Sequence, residues 1–123
     1  MPIHKEIYKR LVEEARQEGI ITYQEIAKIP GLNMENPDHR SRFSWILGEI
    51  STYEHDHGRP LLSVIVVLSD SRQPSYGFYT LANKLGLYHG HTDIDEVEYF
   101  AKELKKVHEF WGKHSEQEFE GEQ

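Results

Sequence analysis

Apolar residues recur at helical spacing from the start of the chain. Ile3, Ile7, Leu11, Val12 and Ala15 fall on one face, which predicts a helix over residues 2–18 with Gly19 as its stop. Ile20 and Ile21 form a short β-like step. Thr22-Tyr23-Gln24-Glu25 reads as a capping box, in which the Thr22 hydroxyl accepts from the third backbone N–H and Glu25 reaches back. It opens a short helix carrying Ile26 and Ala27, which Pro30-Gly31 ends. Residues 33–38 are turn formers, and Asn36-Pro37 supplies a cap followed by a proline in the first turn. The next helix is expected over 37–57, with Phe43, Ile46, Leu47, Ile50 and Tyr53 as its apolar stripe and Gly58 after it.

The pattern changes at Leu61. Residues 61–68 are apolar at nearly every position, many of them β-branched, which predicts a strand covered on both faces. Asp70, Arg72, Pro74 and the serines of 69–75 predict a turn, and 76–79 a returning strand, so that a hairpin results. Residues 80–85 read as a short helix closed by Gly86, and 89–92 as a loop. Asp93 and Glu96 repeat the capping-box pattern with Asp as the cap. A long helix follows, with Ile94, Val97, Ala101, Leu104, His108 and Trp111 on its stripe. Beyond Gly112 the chain carries four acids and only Phe119 as a large apolar residue, which predicts disorder.

The expected fold class is therefore α+β: a winged helix-turn-helix core (α-β-α-α-β-β) with two additional C-terminal helices. Residues 1–112 form a single domain in this reading, and 113–123 an acidic tail. A chain of 123 residues is long enough to bury roughly two-thirds of its unfolded surface in one core.

Ile21-Thr22-Tyr23-Gln24-Glu25-Ile26-Ala27 resembles the second helix of the winged-helix domain in O6-alkylguanine alkyltransferases and alkyltransferase-like proteins. The resemblance implies that residues 41–50 are a recognition helix and 62–68 the strand behind it, and it implies nucleic-acid contact. The family's Pro-Cys-His-Arg active site has no counterpart: Ser63-Val64-Ile65-Val66 stands in that region, so alkyl transfer is not implied. Gly58-Arg59-Pro60-Leu61-Leu62-Ser63, with Gly77-Phe78-Tyr79 after it, also resembles a segment of small bacterial proteins to which no activity attaches.

Charge modifies this picture. Residues 1–92 carry 11 acids and 10 Lys/Arg, and residues 93–123 carry 10 acids and 4 Lys/Arg, so −6 of the net −7 lies in the final segment. A nucleic-acid binder normally has a net basic domain. The chain has no cysteine, which excludes disulfides, thiolate metal sites and cysteine nucleophiles. No apolar run is long enough to span a bilayer, and residues 1–10 lack a signal core, so a cytoplasmic location is expected.

The candidate nucleic-acid contacts are His39, Arg40, Ser41 and Arg42 at the start of the third helix, with Arg59 and with Arg72 at the wing tip. Arg pairs bidentately with guanine, and Ser contacts phosphate. Acids on the same helix, Asp38, Glu49, Glu54 and Asp56, repel phosphate. His55-Asp56-His57 and His89-Gly90-His91 are possible metal ligands, but their spacing matches no zinc signature, and no metal or cofactor is expected. Tyr76 and Tyr88 flank turns, where a ring can stack on a base or ligand, but packing between the hairpin and the C-terminal helices is the expected role. No Walker loop, nucleophile elbow or diagnostic acid–base spacing occurs, so catalysis is not expected.

The expectation is a DNA-binding regulator or accessory factor, with a possible homodimer through the C-terminal helices. The alternative is a scaffold that binds a protein or a small ligand. A connected arginine patch favours DNA, and dispersed or paired arginines favour the alternative.

Overall fold

The structure, a computed structural model, describes residues 3–122. Pro2, expected to open the first helix, and Gln123, at the end of the expected tail, lie outside them. The elements in chain order are α1 (Lys5–Arg16), β1 (Ile21–Thr22), α2 (Tyr23–Ala27) and α3 (Pro37–Asp56). A 3-10 turn (Leu62–Ile65), β2 (Val66–Val67), α4 (Tyr76–Lys84), α5 (Asp93–Lys113) and a terminal 3-10 turn (Glu116–Glu122) follow.

The first three helices form where their patterns place them. The Thr22 hydroxyl accepts from Glu25 N at 3.3 Å, which caps α2. Asn36 Oδ1 accepts from the backbone of Asp38 and His39 ahead of α3, with Pro37 in its first turn. α3 ends in a Schellman motif: Gly58 at φ 72° donates to the His55 carbonyl, and Arg59 N donates to Glu54 O at 2.9 Å. The cap of α5 is Thr92, one residue ahead of the expected Asp93, and Asp95 completes its capping box.

The winged helix does not form. Residues 61–68 are not a hairpin strand, and 76–79 are not its partner. The segment winds as the 3-10 turn and then gives two residues to a parallel pairing with β1, Ile21 to Val66 and Thr22 to Val67. A short run that is apolar at nearly every position fits a buried strand and a buried helical turn equally well, and periodicity cannot separate them. What decides is where the buried backbone N–H groups find acceptors. Leu61 N donates to Glu103 Oε2 at 2.8 Å, and Ser63 N donates to Ser51 Oγ at 3.0 Å. Side chains of α5 and α3 thus replace the ladder that a hairpin would have supplied.

Residues 76–84 are one helix rather than a strand followed by a helix. Phe78, Tyr79 and Ala82 are buried at helical spacing, and Ser75 stands at the N-cap behind the buried Pro74. The returning strand and the short helix of the sequence reading are two halves of this element.

The 3-10 turn runs through the middle of the core, with α1, α3 and α5 packed around it. Leu61, Leu62, Val64, Ile65 and Val66 meet Ile7, Leu11, Ile26, Phe43, Ile50, Val107 and Trp111 there. The second half of α5 faces this core, whereas Ile94 and Val97 in its first half are exposed. The terminal segment, expected to be disordered, sets Phe119 against Phe110 and Trp111 and 4.4 Å from the Arg59 guanidinium. No helix among the described residues is long and apolar enough to cross a membrane.

Candidate functional site: the cleft between α3 and α4

α4 crosses α3 at small residues. A Cβ built on Gly77 would stand 3.2 Å from Ser44 Oγ, so α4 comes close to α3 there across the small Ser44 side chain. The residues next to Ser44 and Gly77 in sequence include two exposed aromatics, Trp45 at 59% and Tyr76 at 80%. Gly48, one turn beyond Ser44 on α3, has nothing within 4 Å of where its Cβ would lie. The two helices therefore diverge past their contact and leave a cleft of about 430 Å³.

Leu47, Phe78 and Leu81 give the cleft apolar surface. Hydroxyls give it polar edges. Tyr23 OH donates to Ser75 Oγ at 3.0 Å and accepts from Ser75 N at 3.1 Å, which ties the start of α4 to α2. Ser63 Oγ lies 2.6 Å from Ser51 Oγ, buried beneath α3. Lys84 stands in the lining from the last turn of α4. Among the described residues the cleft lining contains no Asp, Glu or His.

Of the residues expected to contact DNA, His39 to Arg42 stand together at the start of α3, Arg59 is buried and Arg72 lies in a turn. His39 Nδ1 accepts from Asn33 N at 2.9 Å, and Arg40 donates to the Met34 carbonyl at 2.9 Å. Both thus clasp the loop before α3. Ser41 and Arg42 are exposed on α3. Arg59 is buried and pairs with Glu54 at 2.6 Å, so it belongs to the core and not to a surface patch. Arg72 is exposed at φ 61° in a turn closed by its own N–H to Leu68 O, not at the tip of a wing.

In each histidine pair one ring lies against a backbone carbonyl. His57 Nδ1 is 2.8 Å from the Tyr53 carbonyl, and His89 Nε2 is 3.2 Å from the Gly86 carbonyl. Among the described residues no three His, Asp or Glu side chains gather around a common point for a metal ion.

The sequence reading missed the cleft because it cut α4 in two. Gly48 was the available signal: glycine inside a helix marks a special position. Set against families of known proteins, curated sequences and solved structures, the chain matches none.

Proposed function

We propose that this chain is a non-catalytic binding module whose site is the α3–α4 cleft, and that its ligand is a small molecule with an apolar or aromatic body and an acidic group. The observation that carries the reading is electrostatic. On a chain of net charge −7, this cleft has an apolar floor, Lys84 in its lining and no carboxylate. A concave apolar site with a few polar groups at its edge is the usual form of a small-ligand pocket, and this volume falls within the usual range. The lack of a lining carboxylate or imidazole fits binding better than acid–base catalysis. Arg59 is buried against Glu54 and Arg40 is bonded to the Met34 carbonyl, which weakens the case for one connected arginine patch.

The test is a titration of the protein with 2-naphthoate and with neutral 2-naphthamide, followed by backbone amide NMR. The reading expects saturable shifts at Gly48, Gly77, Leu81 and Lys84, stronger for the carboxylate. Shifts scattered over the surface, or equal for the two compounds, count against it.

One observation keeps nucleic acid as a second reading. Arg42 and Trp45 are both exposed on α3, a cation for phosphate and a ring for a base. On this reading Arg42→Ala lowers the slope of log affinity against log salt by about one. Absence of DNA binding at low salt ends it.

A further inference from the structure

The α3–α4 cleft runs the length of α4, since its lining includes Ser75 and Gly77 at one end and Lys84 at the other. α4 has 9 residues, so these ends stand about 13 Å apart. Lys84 is exposed and supplies a cation at its end, and Leu47, Phe78 and Leu81 lie between.

The opposite end carries hydrogen-bond donors that the protein does not use. Ser75 Oγ accepts from Tyr23 OH, and Tyr23 OH accepts from Ser75 N. Neither bond takes the proton of the Ser75 hydroxyl, and Ser75 makes no side-chain bond to the helix it precedes. A hydroxyl has one proton to give as well as lone pairs to accept with. Ser44 Oγ borders the same space. It stands 3.2 Å, and Ser75 Oγ 3.8 Å, from where a Cβ on Gly77 would lie. Among the described residues neither serine hydroxyl donates to another group. Both are within reach of a ligand, Ser44 exposed and Ser75 half-buried.

We infer that the ligand is an elongated aromatic acid with a carbonyl oxygen at the end opposite its acid group, which rests on the α3–α4 cleft being the binding site. The acid group meets Lys84. The carbonyl oxygen, with two lone pairs, accepts from Ser44 and Ser75 together. Glycine at position 77 leaves room for it, because a side chain there would crowd Ser44. The apolar stretch between the two ends covers the ring system.

The test compares 2-naphthoate with 6-acetyl-2-naphthoate, which adds a carbonyl at the far end of the rings from the acid, by amide NMR on the intact protein. The ketone is expected to bind about threefold to tenfold more tightly and to shift Gly77 more strongly. Ser44→Ala, at an exposed position that makes no side-chain hydrogen bond among the described residues, is expected to lower the ratio of the two affinities by about threefold. Lys84→Met is expected to weaken both acids by about threefold. Equal affinity of the two acids, with 2-naphthoate still bound in the cleft, overturns the inference and leaves the cleft standing. A preference for the ketone that both Ser44→Ala and Ser75→Ala leave intact overturns it as well. Absence of binding by both acids overturns the inference and the cleft together.

Discussion

Arg59 Nε lies 2.6 Å from Glu54 Oε2 with both side chains buried, and the same carboxylate accepts from Tyr8 OH at 3.2 Å. The Schellman turn at the end of α3 creates this relationship, since it folds Arg59 N back onto the Glu54 carbonyl and so brings the two side chains together. The Arg59 guanidinium also sits 5.4 Å from the Tyr53 ring centre and 4.4 Å from that of Phe119. Removing one member of a buried pair strands the other charge, so Glu54→Ala is expected to destabilise the fold by about 3–5 kcal/mol. Replacing both, Glu54→Leu with Arg59→Met, is expected to cost less than the sum of the single changes. Urea unfolding of the four proteins measures this, and additive losses would refute a coupled pair.

Two substitutions are expected to stabilise. Gly48 lies inside α3 with free space where a Cβ would go, so Gly48→Ala is expected to add about 0.5–1 kcal/mol through helix propensity alone. Glu18 ends α1 at φ 56°, a left-handed position that glycine adopts without strain, and Glu18→Gly is expected to add about 0.5–1 kcal/mol. A fall in unfolding midpoint for either variant contradicts the backbone account of that position.

Stability is expected to fall at alkaline pH. Burial pushes the Tyr8, Tyr79 and Tyr99 hydroxyls up, Tyr79 to about 12, with Glu54, Glu96 and Glu103 respectively adding to the effect. In the unfolded chain tyrosine ionises near pH 10, at about its unperturbed value. The folded pKa is the higher one, so the contribution is complete below about pH 10 and declines as pH rises beyond it. Thermal midpoints at increasing pH, with tyrosinate absorbance recorded alongside, check this. Ionisation of all seven tyrosines near pH 10 without unfolding would contradict it.

The sequence made the first half of the fold legible through local signals. The Thr22 and Asn36 caps, Pro37 and Gly58 each act within a few residues, and α1, α2 and α3 stand close to their expected places. The centre was illegible because its structure is set at long range. Glu103 and Ser51, far from the 61–68 segment in sequence, accept its backbone N–H groups and make a 3-10 turn tolerable in the core. A hairpin strand over 61–68 demands 76–79 as its partner, and that demand hides the helix that Tyr76–Lys84 form. The candidate site fell with it, because its cleft is built on α4. Arg59 illustrates the same limit. Nothing in the local sequence around it separates a surface arginine from one buried against Glu54.

The α3–α4 cleft is tested most directly by filling it from its own wall. Gly48→Leu puts a side chain into the open space beside Leu47 and Leu81 at a position where helix propensity favours the change. The measurement is 2-naphthoate affinity by amide NMR for the unaltered protein and for Gly48→Leu, with unfolding midpoints of both. The expected result is a variant at least as stable as the parent that no longer binds the carboxylate. A stable Gly48→Leu protein that binds 2-naphthoate as the parent does would place the ligand elsewhere and contradict the cleft as the binding site.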